Sequence, residues 1–189
     1  MRDLYVRLIG LAEMEGAPLP QKEISALARR AAVSFVRELF GIPEDELIIA
    51  AGRYGKPYFP NHPEACFNIS HAGDYIMLAV SSVPLGCDIE KLRISDEKKL
   101  LSMARHIFSG KEYDAYLAGE DKVDAFFRAW VLKEAESKWL GCGFAGGFNK
   151  LPGEGVHALW KPEEGYYAAV WAGEAFDLHL TKMKGTDIA

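Results

Sequence analysis

The chain has 189 residues, of which 49% are hydrophobic and 26% are charged, and its formal net charge is −5. This balance is typical of a globular protein with one large domain or two small ones, and it excludes a disordered, collagen-like or coiled-coil chain. The negative charge gives no global attraction to nucleic acid, and the longest apolar run, at 75–80, is too short to span a bilayer. We therefore expect neither a nucleic-acid nor a membrane partner.

The first part of the chain predicts one long helix followed by several strands. Apolar residues at helical spacing predict a helix over Gln21–Phe40, which Gly41 and Pro43 end. The expected strands lie at 5–11, 47–51, 67–70 and 75–80, and the expected turns lie at 52–57 and 73–74.

The second part of the chain predicts three helical segments and further strands. A short strand at 87–90 precedes a helix that Ser95 opens, and another helical segment begins near Ser109. The strongest helical pattern runs from about Val123 to Leu140 and stops at Gly141. The remaining strands are expected at 156–160, 167–171 and 175–180.

Two strand segments resemble each other, at 75–80 and 166–170, and each follows a long helix and a turn. This similarity favours an α+β fold of two similar halves, with a boundary near 83–86. The corresponding segments are 1–84 and 85–189. The alternative is that any two buried strands look alike.

The cysteines indicate the compartment. Cys66, Cys87 and Cys142 are odd in number and show no C-x-x-C spacing, which argues against a disulfide framework or a zinc site. The N-terminal residues show no signal-peptide pattern. We therefore expect a cytoplasmic location.

Acidic residues on two predicted elements suggest a metal site. Asp88 and Glu90 point to the same side of a strand, although a solvated strand face would give the same pattern. Glu134 and Lys138 fall within the aromatic face of the long helix, although Glu before Lys at this spacing is also a common surface ion pair. If Glu134 approaches Asp88 and Glu90, a hard divalent cation would remove the repulsion among the carboxylates. Magnesium is the natural candidate and manganese the alternative.

Small polar and basic residues could bind an anion. Lys56 lies in a Gly-Lys-Pro turn, and Ser70 and His71 end a predicted strand. An exposed loop lysine and a structural histidine are the alternatives. Glu112 follows Ser109 at the spacing of a capping box, so we expect it to cap its own helix.

These motifs together resemble the 4′-phosphopantetheinyl transferases of the Sfp type. The resemblance covers about residues 25 to 180 and depends on five motifs in order. They are Gly-Lys-Pro at 55–57, Phe-Asn-Ile-Ser-His at 67–71, Gly-Cys-Asp-Ile-Glu at 86–90, Phe108-Ser109 with Glu112-Tyr113, and Trp130 with Lys133, Glu134 and Lys138.

The resemblance implies two α+β halves in a pseudo-two-fold arrangement, with coenzyme A in the cleft between them and a monomeric chain. It implies transfer of 4′-phosphopantetheine from coenzyme A to a serine of an acyl, peptidyl or aryl carrier protein, with release of 3′,5′-ADP. The implied magnesium ligands are Asp88, Glu90 and Glu134, and Asp88 also belongs to the coenzyme A site. Glu134 would be the base and Lys138 would hold the pyrophosphate. Lys56, Ser70 and His71 would hold coenzyme A, with Lys56 and His71 nearest its 3′-phosphate.

The alternative function is a catalytically inactive coenzyme A-binding module with the same fold. Two positions depart from the family pattern, Ala72 in place of serine and Cys87 in place of an aliphatic residue. The basic residues that the family places near its N-terminus have no clear counterpart here. The nearest are Lys22, Arg29 and Arg30.

A basic segment could receive the carrier protein. Between Lys91 and Lys111, six basic residues stand against Asp96 and Glu97, a balance of +4 in a chain of net charge −5. We expect this segment to form part of the docking surface, with Ile94, Leu100 or Met103 as apolar contacts. An ordinary solvated helix is the alternative.

Overall fold

The computed structural model describes residues 1–11, 19–92, 97–143 and 147–188, and it shows a mixed α+β chain. The strands and helices of the first part are β1 (Arg2–Gly10), α1 (Gln21–Phe40), β2 (Ala50–Ala51), β3 (Pro57–Tyr58), β4 (Cys66–Ala72) and β5 (Tyr75–Ser81). Those of the second part are β6 (Leu85–Lys91), α2 (Glu97–Ile107), α3 (Gly110–Ala118), α4 (Lys122–Leu140), β7 (Val156–Trp160), β8 (Tyr166–Ala172) and β9 (Phe176–Lys184). Within the described ranges, no helix is both long and apolar enough to cross a membrane.

The first half is a four-stranded sheet covered by α1. Its strand order is β4-β5-β1-β9, and β2 and β3 form a separate two-stranded ladder. The apolar side of α1, which includes Leu27, Ala31 and Phe35, packs on the sheet at Ile76 and Leu78. α1 ends as the sequence predicts, because Gly41 adopts a left-handed conformation (φ 69°) and its N–H donates to the carbonyl of Arg37.

The second half repeats this plan with a three-stranded sheet, β6-β8-β7, covered by α4. Phe126, Val131 and Ala135 of α4 form one buried cluster with Ala169 and Trp171 of β8. The two strands that resemble each other in sequence, β5 and β8, both have a neighbour on each side. The expected α+β class and two similar halves are therefore confirmed.

The two sheets bury a shared core between them. Residues of β1 and β5, among them Val6 and Met77, pack with residues of β6 and β8, among them Ile89, Ala168 and Val170. This arrangement places β4 and β6 side by side, although they belong to different sheets. The candidate site forms along this junction.

Some predicted strands differ from the observed ones. The strand expected at 47–51 is reduced to Ala50–Ala51, because Glu44–Glu46 form a 3-10 turn and only two residues pair with β3. The strand expected at 5–11 begins earlier, at Arg2. The last strand, β9, runs parallel to β1 and completes the first sheet. Hence β9, from the end of the chain, lies in the sheet of the first half. A division at residue 84 therefore separates the chain in sequence but does not separate the two sheets.

Candidate functional site

Asp88 is the centre of the site. This residue of β6 is 3% exposed, and its Oδ1 accepts hydrogen bonds from Ser70 Oγ at 2.6 Å and from Lys138 Nζ at 2.7 Å. Lys138 Nζ also lies 3.0 Å from Ser70 Oγ, so side chains of β4, β6 and α4 contact one another in a triangle. The second carboxylate oxygen, Oδ2, is buried and has no hydrogen-bond partner within the described residues. A buried carboxylate oxygen in this state is suited to a cation or another donor supplied by a ligand.

A glycine brings α4 onto β6 at this point. A Cβ atom placed on Gly86 would lie 2.0 Å from the carbonyl oxygen of Ala135 and 2.3 Å from the backbone nitrogen of Trp139. A residue with a side chain would therefore push the helix away from the strand. Because Glu134 and Lys138 are four residues apart, they lie on the same side of the helix, and the close approach carries both to β6.

Glu90 and Trp130 extend the site along β6. Glu90 is two residues after Asp88, so its side chain is on the same side of the strand, and its Oε1 accepts a hydrogen bond from Trp130 Nε1 at 2.9 Å. The sequence placed Trp130 in the fifth motif and on the apolar side of the helix, but it did not predict a hydrogen bond to Glu90. The position of Trp130 four residues before Glu134 was the available signal, because this spacing places both on one side of α4.

The pKa of Glu134 reflects its burial and the charges of the other two carboxylates. Burial, followed by the charges of Asp88 and Glu90, raises the pKa of Glu134 to about 7, although Lys138 opposes this shift. Burial alone would lower the pKa of Lys138, but the charge of Asp88, its hydrogen bond and the charges of Cys87 and Glu134 together outweigh burial, and the pKa is raised. Lys138 is therefore a cation at neutral pH, and Glu134 can hold or release a proton there.

The carboxylate oxygens of Asp88, Glu90 and Glu134 are suitable ligands for a hard cation. Their side chains, however, contact protein groups rather than converging on one point. Carboxylate oxygens are the ligands that magnesium prefers, and the buried Oδ2 of Asp88 is an oxygen without a partner. Among the residues that the structure describes, no group of three or more His, Cys, Asp and Glu side chains is arranged to hold a metal ion. Asp88 contacts Lys138, and Glu90 contacts Trp130.

The predicted anion-binding residues lie around the same junction. His71 Nε2 is 2.9 Å from Nε2 of Gln21, the first residue of α1, and burial and the nearby Lys138 lower the pKa of His71. Lys56 Nζ donates to the carbonyl oxygens of Leu85 at 3.0 Å and Trp139 at 2.8 Å. Lys56 thus joins the turn before β3 to the start of β6 and the end of α4, a role that the sequence did not suggest.

A cavity of about 280 Å³ lies beside this junction and is lined by Lys56, Glu134 and Lys138, whereas Ser70, His71 and Asp88 are not among its lining residues. Its walls come from the turn before β3, from β4 and from the last turns of α4. The lining residues are Tyr54, Gly55, Lys56, Pro57, Asn68, Ile69, Glu134, Ser137, Lys138, Gly141 and Gly143.

Glu112 has the capping role that the sequence predicts. Its Oε2 accepts from the backbone N–H of Ser109 at 2.7 Å, and its Oε1 also pairs with Lys133 Nζ at 3.1 Å. Burial raises the pKa of Glu112, but these hydrogen bonds outweigh it and the pKa is lowered. Glu112 therefore anchors α3 to α4.

The basic segment proposed for docking is described only in part. Arg93 and Ile94 lie outside the described residues. Lys98 and Lys99 are exposed on α2, whereas Leu100 is 2% exposed. The expectation that Leu100 contacts a partner is therefore wrong, because this side chain belongs to the core of the second half. Met103 is partly exposed and lines a second cavity of about 280 Å³ with Glu90, Lys99 and Trp130.

Comparison with known proteins gives matches along most of the chain. Residues 84–181 match the family model of the 4′-phosphopantetheinyl transferase superfamily, and residues 21–83 match the model of the N-terminal part of a 4′-phosphopantetheinyl transferase. The chain is 34% identical to the 4′-phosphopantetheinyl transferase psf-1 of Bacillus pumilus over 68% of this chain and 56% of that protein.

Two further relatives are also named as 4′-phosphopantetheinyl transferases. The chain is 33% identical to the 4′-phosphopantetheinyl transferase Sfp of Bacillus subtilis over 59% of this chain and 49% of that protein. It is 38% identical to the 4′-phosphopantetheinyl transferase AcpT of Salmonella typhimurium over 66% of this chain and 62% of that protein. The chain therefore matches about half the length of the first of these curated relatives.

Proposed function

Because the chain belongs to the 4′-phosphopantetheinyl transferase superfamily and is of the Sfp type, we propose that it transfers 4′-phosphopantetheine from coenzyme A to a serine of a carrier protein. The observation that carries this proposal is the group of Asp88, Ser70 and Lys138 at the junction of the two halves, in which one oxygen of Asp88 has no partner among the described residues and the charge of Asp88 acts on the buried Glu134. Coenzyme A would enter the adjoining cavity of about 280 Å³.

The basic side chains would hold the phosphates of coenzyme A. Lys138 is a cation whose side chain is 29% exposed, so it can contact the pyrophosphate while it stays near Asp88. Ser70 and His71 would contribute from the end of β4, with His71 toward the 3′-phosphate. Lys56 lines the cavity, and its direct contact with the 3′-phosphate would require its ammonium group to leave at least one of its carbonyl partners.

Asp88, Glu90 and Glu134 would hold magnesium, with manganese as the alternative ion. The ion would neutralise charge on the pyrophosphate as the leaving group departs. For this, Asp88 would offer its unpartnered Oδ2. Glu90 would keep the orientation that Trp130 gives it.

Glu134 would remove the proton of the attacking serine. Before a cation binds, burial and the neighbouring carboxylates raise the pKa of Glu134 to about 7; a bound magnesium ion would lower this pKa, so Glu134 would be ionised and able to accept the serine proton. The serine oxygen would bond to the β-phosphorus, and the bond from that phosphorus to the bridging oxygen would break. The electron pair of that bond would leave with 3′,5′-ADP, and the serine proton would reside on Glu134.

The partner would be an acyl, peptidyl or aryl carrier protein, approached by a monomer of this chain in the cytoplasm. The exposed Lys98 and Lys99 of α2 offer positive charge to a carrier protein with an acidic surface, and Glu90 lines the same cavity as Lys99. Reversal of both lysine charges should raise the KM for the carrier and leave the KM for coenzyme A unchanged. An unchanged carrier KM would remove α2 from the docking surface.

The direct test is intact-mass measurement of several apo carrier proteins after incubation with this protein, coenzyme A and magnesium. We expect a mass gain of one phosphopantetheine arm on the carrier serine, and a chelator should prevent it. No gain on any carrier, with coenzyme A still bound by calorimetry, would contradict the transferase proposal and favour the inactive coenzyme A-binding module.

A further inference from the structure

The strands β4 and β6 carry Ser70 and Asp88 side by side, although the two strands belong to different sheets. Among the described residues, no ladder of backbone hydrogen bonds joins them, so their spacing depends on side chains. Ser70 contacts Asp88 in the middle of this junction, and Lys56 donates to the carbonyl oxygen of Leu85 at the start of β6. A third group of side chains joins the two halves at the other end, where β6 ends and β4 turns into β5.

This third group consists of Asp74 in the turn between β4 and β5, Lys91 at the end of β6 and Tyr166 at the start of β8. Tyr166 Oη donates to Asp74 Oδ2 at 3.1 Å and accepts from the backbone N–H of Asp74 at 3.2 Å. Lys91 Nζ donates to the same Oδ2 at 3.0 Å and lies 5.5 Å from the centre of the Tyr166 ring. Two strands of the second half thus hold one turn of the first half, and we call these three residues the interhalf clamp.

Packing also restricts the position of this turn. Tyr166 is 4% exposed, and its ring lies edge-to-face against Tyr75 with 5.0 Å between the ring centroids. A Cβ atom placed on Gly73, the residue before Asp74, would lie 2.3 Å from Tyr166 Oη and 2.8 Å from Lys91 Cδ. A buried ring cannot turn away as an exposed side chain can. A shift of the turn would therefore break the hydrogen bonds of the clamp or open the packing around Tyr166.

The next residue of β8 forms a group of the same composition in a different place. Tyr167 Oη donates to Asp124 Oδ1, and Lys161 Nζ pairs with the same oxygen at 3.2 Å. Lys161 Nζ lies 4.7 Å from the centre of the Tyr167 ring. All three residues belong to the second half, where they join β8 to the first turn of α4. This second group is the internal control for the clamp, because it has the same chemistry but does not join the halves.

We propose that Tyr166 and Asp74 are positioning residues for the transfer reaction. By holding the turn after β4, they fix the distance between the end of β4, which carries Ser70, and the strand that carries Asp88. They act through the two strands and not on the reacting atoms. This inference rests on the proposed function, because it takes the junction of β4 and β6 as the place of transfer.

Kinetics of two matched variants test the clamp. Tyr166→Phe and Tyr167→Phe each remove one hydroxyl that donates to an aspartate, so we expect similar decreases of a few degrees in melting temperature. At a temperature well below both transitions, Tyr166→Phe should lower the kcat of transfer about tenfold, because a small misplacement of the reacting groups is costly. Its KM for the carrier protein should not change. Tyr167→Phe should keep the kcat of the wild type.

A change at the other side of the clamp tests whether the two residues act together. Asp74 is exposed, so Asp74→Ala places little demand on folding, and it removes the acceptor of the Tyr166 hydroxyl. The double variant should have nearly the kcat of Tyr166→Phe alone, because both changes remove one contact. Asp114→Ala makes the same change at an exposed aspartate of α3 and should leave kcat unchanged. Losses in kcat that multiply in the double variant would contradict a shared role.

A spectrum locates the effect of the clamp within the protein. In ¹H–¹⁵N spectra, the backbone amide signals of Ser70 and His71 should move in Tyr166→Phe and stay in place in Tyr167→Phe. If these signals do not move in Tyr166→Phe, or if the two variants lose kcat equally, the inference is wrong while the proposed function stands. If the wild type transfers no phosphopantetheine to any carrier, both are wrong.

Discussion

Lys138 and Lys56 both donate hydrogen bonds near the end of α4, but their partners differ in kind. Lys138 contacts two side chains, Asp88 and Ser70, and the charge of Asp88 raises its pKa. Lys56 contacts two backbone carbonyls, and burial lowers its pKa. Side-chain partners can exchange one contact for another when a ligand arrives, whereas backbone carbonyls in a helix and a strand stay where they are. The region around Lys138 is therefore suited to chemistry and the region around Lys56 to holding the halves together.

The strongest test of this difference concerns the acidic residue beside Lys138. Glu134→Gln keeps the size of the side chain but removes its capacity to accept a proton, so we expect transfer to fall by about 10²–10⁴-fold. Circular dichroism and the melting temperature should stay near those of the wild type. The measurement is the rate of mass gain on an apo carrier at saturating magnesium.

A matched control for this variant lies on the same helix. Glu136→Gln makes the same chemical change at a buried residue that accepts from the backbone N–H of Gly153 at 2.7 Å, and Gln keeps an oxygen for that bond. We expect Glu136→Gln to retain most of the activity. Near-normal transfer by Glu134→Gln would remove Glu134 from the role of base.

The second test moves the whole of α4 relative to β6. Gly86→Ala places a methyl group where the carbonyl of Ala135 lies, so the helix must shift. We expect a loss of about 1–3 kcal/mol in the free energy of unfolding, measured with urea, together with a large loss of transfer activity.

The control for this variant is Gly110→Ala at the first residue of α3, where an added Cβ meets no atom within 4 Å. That substitution should be neutral or stabilising by up to about 1 kcal/mol. A Gly86→Ala protein as stable as the wild type would show that α4 and β6 can separate without cost.

The third test compares the two lysines directly. Lys138→Met should weaken coenzyme A binding by about tenfold to a hundredfold, because it removes the cation that we propose contacts the pyrophosphate. Lys56→Met leaves the carbonyls of Leu85 and Trp139 without their donor and should lower the free energy of unfolding by about 1–3 kcal/mol. Calorimetry and urea unfolding are performed on both variants.

The pattern of the two measurements decides what Lys56 does. If Lys56→Met loses stability while its affinity for coenzyme A at low temperature is nearly unchanged, Lys56 is a structural tie between the halves. If it loses affinity as strongly as Lys138→Met, the prediction that Lys56 contacts the 3′-phosphate is correct, and the contrast between the two regions disappears.

The sequence predicted those features of the fold that depend on local pattern. α1 runs over Gln21–Phe40 as expected, because its apolar residues recur at helical spacing and Gly41 provides a left-handed end. The pairing of β9 with β1 was not predictable, because an alternating pattern identifies a strand but not its neighbour. The strand expected at 47–51 is mostly absent, because the preceding 3-10 turn occupies the chain and β3 offers only two residues for pairing.

The site shows a similar limit at the level of atoms. Motif order named Asp88, Ser70, Glu134 and Lys138, and the structure brings these residues together. The motifs did not indicate that Lys56 donates to backbone carbonyls. Every residue has a carbonyl oxygen, so the sequence does not show which carbonyls will accept a hydrogen bond from a given lysine. It also missed the hydrogen bond from Trp130 to Glu90, because a tryptophan on an apolar face already had an explanation as part of the core.

The smallest expected effect concerns His71, at the end of β4. Burial and the charge of Lys138 lower the pKa of His71 from its ordinary value of 6.5, while Asp88 opposes this shift. Because folding lowers the pKa of His71, the native state favours the neutral imidazole. The free energy of unfolding therefore has its full value above pH 6.5 and decreases as the pH falls from 6.5 toward the lowered pKa. A phosphate that contacts His71 would favour the charged form and raise its pKa again.

Binding of coenzyme A should therefore take up a fraction of a proton at pH values near 6.5. Calorimetric titrations in buffers of different ionisation enthalpy measure this uptake directly. His71→Gln, which can still hydrogen-bond to Gln21, should reduce this uptake to the part contributed by Glu134, with a modest loss of affinity, whereas the matched change at the exposed His157 should leave it unchanged. Equal proton uptake by the wild type and His71→Gln would show that no phosphate of the ligand contacts His71, and the anion-binding part of the site would then be limited to the side chains around Lys138.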